Sequence, residues 1–321
     1  MLSVPGLIYA RHIHGLSTTI LPDRNLVSRM ASAARHGVRR PLDEPTRLAI
    51  NVMAFAQSAN IAIEPSIAFH ELAHRDGNDC AQEELSWFRT ADQGRLHAWL
   101  DLAMERADRL PIAAPAEFIR QDLARPLARW RRNYLVALKV AELELTEMHP
   151  MEKVKELIGW MMSDFIIARP SAIFSTMYLS ADTPRKRMIK SLRSVDRSEA
   201  IRGIRNAAWD ITHLSYFAQR SSISAHDRAR YIFATADKNL AQIAPVLIGY
   251  NQMNTQKAEL SRSLGRWWTK PKEAEQVVQW LTECFQIADI RPPPGNIGSG
   301  MDPLGSLIRE AEARVYGWKA S

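Results

Sequence analysis

Three short stretches of this 321-residue chain read as β-strands, and each gives way at once to a helical pattern. Residues 17–22 (STTILP) form a short apolar run. Residues 60–66 (NIAIEPS) alternate apolar positions. Residues 230–237 (RYIFATAD) are rich in β-branched and aromatic side chains and end in an acid. Strand, helices, strand, helix is the rhythm of a parallel sheet, whose strands need crossover connections. The expected fold class is therefore α/β.

The intervening segments read as helices. Residues 24–37 end at Gly37 as a C-cap, a second helix covers about 44–58, and a third opens at Ser66. From about Cys80 to Arg197 long helical stretches dominate, at 80–108, 116–147 and 150–168. Pro111, Pro115, Pro150 and Pro170 punctuate them, and Pro126 is expected to kink or split the second. Within this region only 171–179 (SAIFSTMYL) carries a strand signal. Helices are then expected at 198–220, after the third strand (KNLAQIAPVL), at 253–268, at 272–287 and at 303–316, with a loop at PPPGNIGSG. Residues 1–80 and 198–248 thus form one discontinuous α/β domain, 81–197 a helical insertion and 249–321 a helical C-terminal extension.

Apolar residues make up 46% and charged residues 24%, enough to bury a core without covalent staples. Two cysteines, Cys80 and Cys284, are no disulfide framework and suit a reducing compartment. Residues 1–15 lack a basic start, and Arg11 and His12 break their apolar run, so no signal peptide is read there. The most apolar internal run, 157–168, contains Asp164 and falls short of the roughly 20 residues of a membrane span. A soluble cytoplasmic protein with no membrane partner is expected. The net charge of +7 favours a polyanionic partner. Clusters at Arg129, Arg131 and Arg132, at Arg185, Lys186 and Arg187, and at Arg202 and Arg205 would suit a nucleic-acid groove.

Open parallel sheets bind ligands outside the carboxyl ends of their strands, where Asp23 and Asp237 stand. Asp210 shares a helix face with Ala207, Leu214 and Phe217. An acid in an apolar stripe is costly unless it is paired or holds a metal. Clustered carboxylates raise each other's pKa, and a divalent cation relieves the conflict. Oxygen-only ligands favour Mg²⁺ or Mn²⁺ over zinc.

Taken in chain order, these residues resemble the PIN-domain family of metal-dependent ribonucleases, which includes many bacterial toxins. Asp23 and Asn25 match a strand ending in Asp-x-Asn. Pro65, Ser66 and then Glu71 match a strand followed by a helix bearing a Glu. Asp210 matches an Asp on a late helix, and Thr235 and Asp237 match a strand ending in Thr-x-Asp. The resemblance covers residues 15–80 and 198–248, with Arg24 standing where a small polar residue is common. It implies a three-layer α/β/α nuclease domain carrying the helical insertion and extension. It also implies an endoribonuclease that hydrolyses RNA with metal-activated water. Asp23, Asp210 and Asp237 would be the ligands of Mg²⁺ or Mn²⁺, with Glu71 a further ligand or the group orienting the water. Asn25 and Thr235 would be supporting residues. A toxin or defence role, with an antitoxin-like protein inhibitor, follows from the family.

Two other readings stay open. His70-Glu71-Leu72-Ala73-His74 is a literal H-E-x-x-H, which on a helix sets two imidazoles one turn apart for zinc, with Glu71 as general base of a peptidase. Its third-ligand position holds Cys80. The third reading is a PIN-like binding protein without catalysis. Arg220 and His226 also have the spacing of metal-free helical ribonucleases, although 221–225 reads as loop. Trp267 and Trp268 suit base stacking, a core, or the interface of a homo-oligomer.

Overall fold

The computed structural model describes residues 3–112, 114–115, 117, 119–181, 188–251, 257–290 and 302–319. Its elements run α1 (Val4–His14), β1 (Ser17–Pro22), α2 (Arg24–His36), α3 (Glu44–Ala59), β2 (Ala62–Ile63), α4 (Ser66–Asp76), α5 (Asn78–Asp92), α6 (Leu96–Ala103), α7 (Ala128–Leu145), α8 (Pro150–Ser163), α9 (Arg169–Tyr178), α10 (Arg197–Asp227), β3 (Ala229–Ala234), α11 (Lys238–Asn251), α12 (Lys257–Leu264), α13 (Pro271–Ile290) and α14 (Pro303–Tyr316). The protein is mostly helical, with a three-stranded sheet of order β2-β1-β3. Both pairings are parallel, Thr19 lying opposite Ala62 on one side and Tyr231 on the other.

The chain divides into two compact units. One comprises residues 1–125 and 219–241, the other 126–218 and 242–321. The expected insertion, 81–197, therefore does not stay whole. Residues 81–125 belong with the sheet, and 126–197 belong with the C-terminal helices. Residues 198–218, assigned from sequence to the α/β domain, lie in the second unit.

In the first unit β1 is the central strand, and Ile20, Leu21 and Pro22 are buried. Helix α2 starts where Asp23 caps it and stops at Gly37, whose φ of 74° is open to glycine. Its buried face, Leu26, Val27, Met30, Ala31, Ala33 and Ala34, has helical spacing and packs against α3, α4 and α5. Strand β2 is shorter than the sequence suggests because its first residues serve α3. The amides of Asn60, in the left-handed region, and Ile61 both close that helix by donating to Ala56 O. Glu64 N–H still donates to Ile20 O at 2.8 Å, after which Pro65 has no N–H to give. Residues 4–14, to which no element was assigned from sequence, form α1, capped by Ser3 and ended by Gly15.

In the second unit the strand signal at 171–179 is overturned: these residues fall mostly in α9, which begins at Arg169 and Pro170. A helix buried on every side shows no amphipathic period, and short apolar runs are ambiguous for that reason. Its hydroxyls are satisfied locally, Ser175 Oγ–H donating to Ser171 O at 2.6 Å and Thr176 Oγ1–H to Ile173 O at 2.8 Å. The expected helix 116–147 begins only at Ala128, beyond Pro126. In the first unit, residues 80–108 break around Gly94 into α5 and α6. Helix α10 runs on through 221–225, read from sequence as loop. Helix α14 has the expected bounds. The loop PPPGNIGSG lies outside the described residues. A buried chain joins α9, α7 and α10: Ser171 Oγ–H donates to Asn133 Oδ1 at 2.8 Å, and Asn133 Nδ2 to Thr212 Oγ1 at 3.0 Å. Trp267 and Trp268 are core residues.

No helix among the described residues is long and apolar enough to cross a membrane. The apolar run 157–168 is divided by the end of α8 at Ser163.

Candidate active site

The carboxyl ends of β1 and β3 bring two acids together. Asp23 follows β1, and its N–H continues the ladder by donating to Ala234 O at 2.8 Å. Its side chain turns back on α2, where Oδ1 accepts the Leu26 N–H at 2.9 Å. This is the N-cap contact that supplies an orphan amide with a partner and sets a negative charge against the positive end of the helix. Only 3% of Asp23 is exposed.

From the neighbouring strand, Thr235 Oγ1–H donates to Asp23 Oδ2 at 2.5 Å. The same hydroxyl oxygen accepts the Asp237 N–H at 2.9 Å. Asp237 in turn caps α11, its Oδ1 accepting the N–H groups of Asn239 at 2.7 Å and Leu240 at 3.1 Å. One threonine thus ties two acidic helix caps into a single polar chain at the edge where parallel sheets bind ligands.

The other expected site residues fall elsewhere. Asn25 is exposed on the first turn of α2, and its carbonyl accepts from Arg29 Nη1 at 3.1 Å. Glu71 is half-buried in α4. Asp210 is half-buried in the part of α10 that belongs to the second unit, amid buried Ala207, Leu214 and Phe217. Among the described residues no three His, Cys, Asp or Glu side chains form a group able to hold a metal ion. Of the expected acids, Asp23 and Asp237 are the two that Thr235 links at adjacent strand ends. A pair of carboxylates fits Mg²⁺ or Mn²⁺, since magnesium keeps several waters and takes one or two protein carboxylates. It does not fit a closed zinc centre.

On the H-E-x-x-H helix each imidazole is held through Nδ1 by a backbone carbonyl. His70 is 6% exposed and donates from Nδ1 to Leu123 O at 2.7 Å. Burial holds its pKa below the ordinary histidine value. His74 donates from Nδ1 to His70 O at 2.8 Å, within the helix. Asp76 pairs with Arg75 and Asp79 with Arg120, while Cys80 is exposed on α5. No third ligand joins the two imidazoles among the described residues.

Sequence reasoning passed over two features of this edge. Arg24, 8% exposed, forms a two-pronged pair with Glu84 of α5 at 2.5 and 2.8 Å, which anchors the start of α2 beside Asp23. Glu64 follows β2, its Oε1 accepting the Ser66 N–H at 3.1 Å while its buried Oε2 has no hydrogen-bond partner among the described residues. An acid thus follows each of the three strands. The period-2 pattern of 60–66 carried that signal for Glu64. Nothing local pointed to Glu84.

The basic clusters expected to face a nucleic acid are partly engaged within the second unit. Arg131 pairs with Asp302, Arg202 with Glu199 and Arg205 with Glu312, and Arg129 lies over the Tyr216 ring. Residues 185–187 lie outside the described residues. Arg220 lies over the Tyr231 ring at 4.7 Å.

Comparison with protein-family models, with curated proteins and with solved structures finds no match to this chain.

Proposed function

We propose that the chain is a metal-dependent nuclease of PIN-like type that hydrolyses RNA phosphodiester bonds. The observation that carries this reading is the linked pair Asp23–Thr235–Asp237 at the carboxyl edge of adjacent parallel strands. It sits beside the N-termini of α2 and α11, whose dipoles and amides favour an anionic ligand. Asp23 and Asp237 are the groups that would hold Mg²⁺ or Mn²⁺, which when bound can lower the pKa of a water and polarise a phosphate. Thr235 holds the Asp23 carboxylate in one orientation, so the cap and the site share one geometry. Asn25, exposed on the first turn of α2, would meet a phosphate or sugar oxygen. Glu71 and Asp210 stay candidate contributors on sequence grounds alone, as do the toxin or defence role, an inhibitory protein partner, self-association and a cytoplasmic location.

The test is a cleavage panel of single-stranded RNA and DNA with Mg²⁺, Mn²⁺, Zn²⁺ or EDTA, using the full chain and Asp237→Asn. Cutting of RNA that needs Mg²⁺ or Mn²⁺ and is lost in the variant supports the proposal. Zinc-dependent casein cleavage that requires His74 would replace it with the peptidase. Binding of RNA with no cleavage in any metal would leave a non-catalytic binding protein.

A further inference from the structure

We propose that a basic cleft along the outer face of α2 binds the phosphodiester backbone of single-stranded nucleic acid through Arg29, Arg39 and Arg109. This deepens the nuclease reading and rests on it for the identity of the polyanion.

The solvent side of α2 carries Asn25, Arg29, Ser32 and His36, which recur at four- and three-residue intervals and so lie along one stripe. At 1.5 Å per residue the stripe spans about 16 Å. It begins on the first turn, two residues after Asp23, and ends in a cleft of about 710 Å³ lined by Arg29, Ser32, His36, Arg39, Asp43 and Arg109 among others. All of these residues belong to the first unit. Arg39 and Arg109 are exposed, and neither has an acidic partner among the described residues. Among the described residues Arg29 meets one carboxylate, that of Asp43 at 4.0 Å. Asp43 is occupied with capping α3, its Oδ1 accepting the Thr46 N–H at 2.7 Å. The cleft therefore sets three guanidinium groups against one carboxylate.

The neighbouring arginine shows the contrast. Arg40 is tied to Asp108 at 2.9 Å and to Glu105 at 3.5 Å, and it donates to two backbone carbonyls. It holds the loop, whereas Arg39 and Arg109 present their forks to solvent. Planar guanidinium forks suit phosphate oxygens. Gly37 brings Arg109 into place. With φ at 74°, a Cβ here would lie 2.5 Å from Asp108 O and 2.6 Å from Arg109 Cγ. Its absence lets residues 108–109 close on the end of α2, where Val38 N–H donates to Asp108 O at 2.8 Å.

The test reads fluorescence anisotropy of labelled 12-nucleotide single-stranded RNA and DNA with the full chain, in EDTA, across a salt series. Arg39→Gln/Arg109→Gln is expected to weaken binding about tenfold near 0.1 M salt. The slope of log K against log salt should flatten by about 1.4, since each phosphate contact on a single strand contributes roughly 0.7. Arg39→Lys/Arg109→Lys should keep the slope, and Arg95→Gln, an exposed site outside the cleft, should change neither quantity. Equal affinity and slope for wild type and the Gln pair overturns the proposal. So does a wild type that binds neither oligonucleotide, or one that binds only free pyrophosphate. Binding in EDTA is independent of turnover. A wild type that binds through this cleft but never cuts would end the nuclease reading alone, and one that cuts with an unchanged slope would end the cleft alone.

Discussion

Thr235 donates its hydroxyl to the carboxylate of Asp23 at 2.5 Å, across 212 positions of sequence. The contact joins the ends of two parallel strands, and through the Asp237 amide it also orders the start of α11. Local helix capping and the proposed chemistry therefore draw on the same atoms, which separates variants by whether they remove charge, a cap or the link.

Asp237→Asn removes the charge and keeps the cap. Asparagine caps helices about as well as aspartate, so stability should change by less than about 0.5 kcal/mol. Cleavage should fall at least 100-fold. Parallel melting curves and initial rates check this, and an active variant would remove Asp237 from the site.

Thr235→Val removes the link. A carboxylate oxygen buried with Asp23 loses its donor, a loss that costs about 1–3 kcal/mol. Urea unfolding should show it as a lower midpoint with unchanged slope, and Thr235→Ser should recover most of it. Equal stability of the valine and serine variants would show that the hydroxyl is not needed.

Glu84→Ala strands the buried guanidinium of Arg24. The pair is only partly buried, so breaking it from one side should cost less than the about 3–5 kcal/mol of a fully buried pair, whereas replacing both partners with apolar residues is often neutral. The single variant should unfold far more easily than Arg24→Met/Glu84→Leu. The reverse order in a denaturant series would show that the pair contributes little.

The two cysteines should differ in reactivity. Cys80 is exposed, whereas burial pushes the Cys284 thiol up to about 11. Only the thiolate is nucleophilic, so at pH 8 iodoacetamide should modify Cys80 and spare Cys284 in the native protein. Both should react in urea, as peptide mass mapping would show. Native labelling of Cys284 would mean that its helix opens readily.

Much of the first unit was legible because its signals are local. The strand at 17–22, the Gly37 stop and the helix from Glu44 depend on neighbours within a turn or two, and so does α14 after Asp302. The same locality placed Asp23 directly after β1, but it ran the third strand on to Asp237, whereas β3 ends at Ala234 and Asp237 caps α11. It failed at 171–179, where total burial in α9 erased the period that distinguishes helix from strand.

By itself, then, the sequence determined the parallel α/β character, the main helices of the first unit, and an acid following each of two strands. Tertiary structure decided which distant residues meet. It made β3 the neighbour of β1, so that Thr235 reaches Asp23, and paired Arg24 with Glu84. It drew Arg109 beside α2 and assigned Asp210 to the other unit. The physical reason is range: capping and periodicity act over a few residues along the chain. Pairing of strands and burial of charges depend on contacts that only the folded backbone creates.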